Sequence, residues 1–179
     1  MKNAEVVTII DAVGAGVGNM FDVDAIAYDK IIIMADADDD GYHIIELLLA
    51  LFWRLMPDLL RKGKVYVARP PLYRFDRYVG GKREKAFCID DAEYEQMKKQ
   101  HSGWTVTRLK GLGEMNDQEL KETTMDKATR RIDRVVVDDE QEFERLLHLF
   151  MSQSTRRGVN PAERRRQWIQ QRDMFGDEE

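Results

Sequence analysis

The run KIIIMADADDDGYHI, Lys30 to Ile44, constrains this chain more than any other stretch. Ile31, Ile32, Ile33 and Met34 form a continuous, largely β-branched apolar segment bounded by charge. That pattern predicts a short strand covered on both faces, as in a parallel sheet. Asp36, Asp38, Asp39 and Asp40 follow at once, and from about Gly41 to Trp53 apolar residues dominate, which predicts a helix. Pro57 marks a break or a new first turn. Gly63 suits the C-cap of the next short helix, with Arg61 and Lys62 in its last turn. KVYVA (Lys64 to Ala68) is a second strand, ended by Pro70 and Pro71. Strand, helix and strand within about 38 residues form a βαβ unit.

Carboxylates this crowded repel one another unless a cation sits among them. Asp36, Asp38 and Asp40 match the first half of a calcium loop, Asp-x-Asp-x-Asp-Gly. That match fails twice: position 12, where the bidentate glutamate belongs, is Leu47, and a strand rather than a helix precedes the loop. Spaced carboxylates at the carboxyl end of a strand suit Mg²⁺ instead, which takes a few carboxylates, keeps its waters and meets phosphates. The plain alternative is a solvated acidic turn. His43 reads as a supporting or packing residue, because Mg²⁺ prefers oxygen.

The rest of the chain alternates helix and strand signals. Glu5 to Val13 reads as a short helix broken by GAGVG (Gly14, Gly16, Gly18). A phosphate-binding loop should follow a strand and open a helix, so a plain turn is the better expectation. YVGGKREKAF predicts a hairpin turning at Gly80-Gly81, and DDAEYEQMKKQ an exposed helix with an acidic start. TVTRL (Thr105 to Leu109) and RIDRVVV (Arg131 to Val137) are strand candidates. Asp117 to Thr123 reads as helix, capped by Asn116 or Asp117. Asp138 to Ser152 is amphipathic, with Phe143, Leu146, Leu147 and Phe150 on one stripe, and the tail predicts a basic helix.

The chain has 179 residues, 28 Lys and Arg against 33 Asp and Glu, and a formal charge of −5. Bulk charge therefore gives no hint of nucleic acid, although a local basic patch is compatible with it. Cys88 is the single cysteine, so no intrachain disulfide forms, which fits a reducing compartment. Residues 1–10 carry no signal-peptide pattern, and the longest apolar run, Leu47 to Trp53, is far short of the roughly 20 residues that span a bilayer. A cytoplasmic protein without membrane partners is expected.

Two long motifs bring a family into view. YDKIIIMADADDDGYHIIELLLALFWRLMPDLLRKGKVYVARPPLYRF resembles the Toprim segment of the B subunit of type IIA DNA topoisomerases (DNA gyrase and topoisomerase IV). TRLKGLGEMNDQELKETTMD, Thr107 to Asp126, resembles the second signature of the same subunit. The resemblance implies an α/β fold: a partial Toprim domain, with a Rossmann-like parallel sheet and flanking helices, over residues 1–77. A variable hairpin and helix insertion over 78–104 and a smaller α+β tail domain with a basic C-terminal helix over 105–179 follow from it. Asp36 and Asp38 fall on the family's Asp-x-Asp magnesium pair, the catalytic carboxylates, and Asp40 on its third aspartate. Asp39 stands where the family usually has valine.

The resemblance also implies what lies elsewhere. The family's Toprim glutamate, its Pro-Leu-Arg-Gly-Lys block and its ATPase region have no counterpart here, so the chain looks like the C-terminal part of a B subunit, as in a split phage topoisomerase. The expected partners are double-stranded DNA, an A-type subunit carrying the catalytic tyrosine, and an N-terminal B-subunit part with the ATPase and the glutamate. Mg²⁺ is the expected cofactor, with ATP bound elsewhere in the complex. Arg108 and Lys110 would meet a DNA phosphate, and His43 and Glu114 would support the site, Glu114 by holding Lys110. RRGVNPAERRRQWI is either a solvated basic helix or a contact with DNA or the A-type partner. Two rival readings are a free-standing DNA-binding or interaction module with a degenerate metal site, and a separate Toprim nuclease or primase-like enzyme.

Overall fold

The computed structural model describes residues 3–151, 160, 162 and 163. Helix α1 (Ala4–Val13) is capped by Asn3, whose side chain accepts a hydrogen bond from the Val6 amide at 3.0 Å. It ends at Gly14, with φ of 71°. Gly16 has φ of 78°, and a Cβ there would lie 2.6 Å from the Met20 carbonyl oxygen, so only glycine fits. GAGVG is thus a turn between a helix and a 3₁₀ turn, as expected, and not a strand-to-helix phosphate loop.

Strand β1 (Ile31–Ile33) runs parallel to β2 (Val65–Ala68), with Ile31 opposite Val65 and Ile33 opposite Val67. Between them lie α2 (Asp39–Leu55) and α3 (Pro57–Arg61), so the βαβ unit is present. Pro57 opens α3, where its missing N–H costs nothing, and Gly63 follows its end with φ of 62°. The core of this layer contains Ile33, Phe52, Met56, Leu59, Leu60 and Val65. Ile31 and Ile32 are only half-buried, contrary to the expectation of a strand covered on both faces. The reason is topological: β1 has β2 as its hydrogen-bonded neighbour on one side and no strand on the other among the described residues. The far side of β2 pairs antiparallel with β6 (Ile132–Arg134). This strand is shorter than the Arg131 to Val137 run, although the Arg69 amide donates to the Arg131 carbonyl at 2.9 Å and the Val135 amide to the Val65 carbonyl at 3.0 Å, just past its two ends.

A second sheet has the order β4-β3-β5, all antiparallel. β3 (Tyr73–Val79) and β4 (Lys82–Cys88) form the hairpin, with positive φ at both Gly80 and Gly81, the turn whose twist suits a two-residue connection. β5 (Thr105–Arg108) lies along the other edge of β3. The expected boundary at residue 104 therefore has hydrogen-bonded strands on both sides of it. Helix α4 (Asp91–Gln100), capped by Asp90, brings Tyr94 within 5.8 Å of the fully buried Phe75, ring centre to ring centre. Burial beside Glu93, Asp90 and Asp91 pushes the Cys88 thiol up to about 11, which makes it an inert packing group.

Helix α5 (Asp117–Leu120) settles its cap on Asn116. The Asn116 side chain accepts from the Glu119 amide at 2.9 Å, and the Glu119 carboxylate accepts from the Asn116 amide at 3.1 Å, a reciprocal capping box. The chain then widens into a π turn over Lys121–Met125 rather than ending at Thr123. There the Thr123 and Thr124 hydroxyls donate to the Glu119 and Leu120 carbonyls, at 2.8 and 2.6 Å, and compete with the regular backbone ladder.

Glu119 is 1% exposed and Asp76, in β3, is 7% exposed. Glu119 is met by Lys85 and, at 3.1 Å, by Arg74. Asp76 is met by Arg74 at 2.9 Å and Arg83 at 2.7 Å. Burial pushes both carboxyls upward. Arg83 and Arg74 outweigh it at Asp76, and Lys85, the Asn116 amide and Arg74 outweigh it at Glu119, so each is held below its usual range. A depressed folded pKa means stability that is complete above the unfolded carboxylate range and is lost as pH falls through it. Urea denaturation midpoints are expected to drop between about pH 5 and pH 3, and Glu119→Gln should flatten that slope. An equal slope in the variant would show that Glu119 is not the group responsible.

Residues 1–136 and 137–179 form two compact units. In the second, α6 (Glu140–Met151) begins where the Asp139 carboxylate accepts from the Gln141 and Glu142 amides. Phe143, Leu146, Leu147 and Phe150 are each half-buried on the expected stripe. The basic helix expected in the tail, with Trp168 and Ile169, lies outside the described residues. No helix among the described residues is long and apolar enough to cross a membrane.

Candidate functional site: an acidic strand end beside a glycine turn

After β1 the backbone runs through Asp36 to Asp38, and α2 opens at Asp39. Asp38 is the N-cap of α2: its Oδ1 accepts the Gly41 amide at 2.8 Å. Aspartate at this position therefore has a structural reason as well as a chemical one. Gly41 lies directly against the Asp36 backbone, and a Cβ on it would fall 1.9 Å from the Asp36 carbonyl oxygen. The absence of a side chain at Gly41 is what allows the strand to turn so tightly into the helix.

Asp36 reaches further. Its Oδ1 accepts a 2.8 Å hydrogen bond from the Leu112 amide, 76 residues away in sequence. Leu112 begins the 3₁₀ turn Leu112–Glu114 inside KGLGEM, so the two long motifs meet at this carboxylate. Gly111, just before it, passes so close that a Cβ would sit 2.8 Å from Asp36 Oδ2. Asp36, Asp38 and Asp40 are all exposed, with Asp40 in the first turn of α2.

These positions define what the acids can hold. Asp36 and Asp38 each commit one oxygen to a backbone amide, which leaves Oδ2 of both free of hydrogen bonds from the described residues. Hard, anionic, water-facing oxygens are the donors Mg²⁺ takes, so the donor chemistry fits that ion. The set is open: among the described residues no three His, Cys, Asp or Glu side chains gather closely enough to enclose a metal. The three aspartates alternate around a strand-to-helix turn instead of converging, because Asp38 is held to its own helix.

The remaining expected residues spread around this turn. His43, exposed on α2, has Nδ1 3.8 Å from Glu46 one turn along and pairs with no aspartate among the described residues. Arg108 ends β5, exposed, with its guanidinium 5.9 Å above the Tyr73 ring centre. Lys110 and Glu114 are exposed, and no ion pair joins them among the described residues, so Glu114 does not hold Lys110 here. An open groove of 480 Å³ on the second sheet is lined by Arg74, Arg77 and Arg83 with Thr105 and Thr107. Its cations are already engaged, by Asp76, Glu119 and Glu84.

Glycine at 111 and 113 permits close backbone approach, which the fold uses at Gly111 and not at Gly113, but nothing local in the sequence marks Asp36 as the group that Gly41 and Gly111 approach. Sequence reasoning missed the buried Glu119, for which the Asn116-x-x-Glu119 capping-box spacing was an available signal.

Comparisons with known proteins agree with this layout. A family model described as the Toprim domain matches residues 4–70, and one described as DNA gyrase B subunit, carboxyl terminus, matches residues 101–170. The B subunit of DNA topoisomerase 4 from Bacillus subtilis (strain 168) is 46% identical over 99% of this chain and 26% of its own length. Its counterpart from Streptococcus pneumoniae serotype 4 is 44% identical over 100% of this chain and 27% of its own. The B subunit of DNA gyrase from Thermotoga maritima is 44% identical over 92% of this chain and 25% of its own. The chain thus spans about a quarter of the length of the curated relatives it matches. With its acidic strand end in the Toprim match and its glycine turn in the gyrase B match, the chain belongs to the family of DNA gyrase and DNA topoisomerase 4 B subunits.

Proposed function

We propose that the chain works in the cytoplasm as part of an ATP-dependent type II DNA topoisomerase, presenting carboxylates for Mg²⁺ where both DNA strands are cut and rejoined. The observation that carries this reading is the hydrogen bond from Leu112 to Asp36, which joins the acidic strand end to the KGLGEM turn on an exposed face. Bound there, Mg²⁺ would neutralise phosphate oxygens and stabilise a leaving 3′ oxygen. Asp36 and Asp38 offer their free Oδ2 atoms, and Asp40 adds negative charge beside them. Arg108 and Lys110, near the same turn, position a DNA phosphate without reading its sequence.

The partners in this reading are double-stranded DNA, an A-type subunit carrying the tyrosine, and an N-terminal B-subunit part with the ATPase and a further Toprim glutamate. That glutamate would close the open donor set.

Because Asp38 also caps a helix, an alanine there confounds two roles: loss of the cap alone costs about 1 kcal/mol. Asparagine caps as well as aspartate and removes only the charge. Asp38→Asn, mixed with the A-type subunit and the N-terminal part, is expected to keep its unfolding midpoint. Its Mg²⁺- and ATP-dependent DNA relaxation should fall about 100-fold or more, the scale of losing a few kcal/mol of charge stabilisation. Relaxation at the unmodified rate would remove Asp38 from the metal site.

A further inference from the structure

Gly111 is glycine for a reason that is not conformational. Its φ of −162° and ψ of 170° describe extended backbone open to any residue. The three atoms a side chain would meet first all belong to the Asp36 carboxylate, with Oδ2 at 2.8 Å, Cγ at 3.0 Å and Oδ1 at 3.1 Å from the Cβ position. The next residue, Leu112, donates its amide to Oδ1 of that same carboxylate. Gly113, two residues on, shows the contrast, since a Cβ there would have nothing within 4 Å.

We propose that the Gly111–Leu112 turn is the positioning element of the acidic site: the Leu112 amide grips Asp36 Oδ1 while the bare Gly111 leaves room for the carboxylate, so that Oδ2 is presented in one orientation. The inference rests on the metal-binding reading above and deepens it. Asp36 sits on the irregular connection between β1 and α2, and its side chain has two rotatable bonds. Among the described residues, no hydrogen bond from its own segment holds the carboxylate, as the Gly41 amide holds that of Asp38. The hold comes from across the fold. Groups that orient a metal ligand from behind commonly matter about 10- to 100-fold in metal affinity.

The test uses alanine at Gly111, with alanine at Gly113 as control. The atoms nearest to a methyl at Gly111 are the tip of a short side chain and not backbone, so both variants are expected to unfold at the temperature of the unmodified chain. Mn²⁺, read by electron paramagnetic resonance, serves as the probe, on the full chain alone and mixed with the N-terminal B-subunit part. Gly111→Ala should bind Mn²⁺ about tenfold more weakly and Gly113→Ala as the unmodified chain does. Equal affinity in Gly111→Ala, or an equal loss in Gly113→Ala, overturns the proposal. Binding of no Mn²⁺ by either preparation of the unmodified chain would sink the metal reading instead. Hydrogen exchange of the Leu112 amide then decides the positioning contact independently. Faster exchange in both Asp36→Ala and Gly111→Ala supports it, and unchanged exchange overturns it.

Discussion

Glu119→Ala is expected to destabilise the chain by about 3–5 kcal/mol, the cost of removing one partner from a buried ion cluster. The carboxylate is 1% exposed and answers three groups at once: Lys85, Arg74 and the Asn116 amide. The side chains of Arg74 and Lys85 are themselves only 15% and 22% exposed. Without Glu119 their charges remain half-desolvated, and Arg74 keeps only Asp76. The capping box of α5 loses one of its two bonds, and the KGLGEM turn enters the fold just before that helix. A loss of this size is about a fifth or more of the stability of an ordinary domain. Urea denaturation measures it. A loss under about 1 kcal/mol, the range of exposed pairs, would show that water already screens the two cations. The double substitution with Arg74→Ala should cost less than the sum of the singles, because it removes the orphaned charge along with its partner.

Gly41→Ala should produce the second large effect, and here two forces oppose each other. Gly41 lies in α2, where helix propensity alone favours alanine by about 1 kcal/mol. The packing points the other way: the new Cβ would lie 1.9 Å from the Asp36 carbonyl oxygen and 2.8 Å from its carbonyl carbon. Both are backbone atoms, so no side chain can swing aside. Forcing a methyl into packed structure costs typically about 1–3 kcal/mol, occasionally more, and a backbone overlap this deep belongs at the upper end. The net expectation is a loss of about 2 kcal/mol, together with loss of DNA relaxation in the assembled complex, since Asp36 and the Asp38 cap both move with this joint. A stabilised Gly41→Ala would mean that the strand-to-helix turn opens freely, and the tight joint would have to be abandoned.

The elements whose causes are local were readable from the residues. Pro57 opening α3, Gly63 after its end, Gly80-Gly81 between β3 and β4, and Asn116 ahead of α5 each act through the geometry of a few neighbouring atoms. The apolar period carried α2 and α6 to within two residues of their ends, and the acidic start of DDAEYEQMKKQ carried α4 as closely. The acidic strand end could be identified for the same reason, because a strand followed by spaced carboxylates is a pattern of adjacent residues.

Other features depend on segments far apart in the chain. Whether Ile31 and Ile32 are covered depends on what lies beside β1, and where β6 begins and ends depends on its pairing with β2. Glu119 looks like a surface acid on a charged helix until Lys85 and Arg74 close over it. Above all, Asp36, Asp38 and Asp40 look alike in the sequence, and the fold makes them different: Asp38 is held by its own helix, Asp40 stands in water, and Asp36 is gripped by a turn 76 residues away. Hydrogen bonds within a turn follow from the residues that make it. A bond between two distant turns exists only once packing has brought them together, and no local pattern records it.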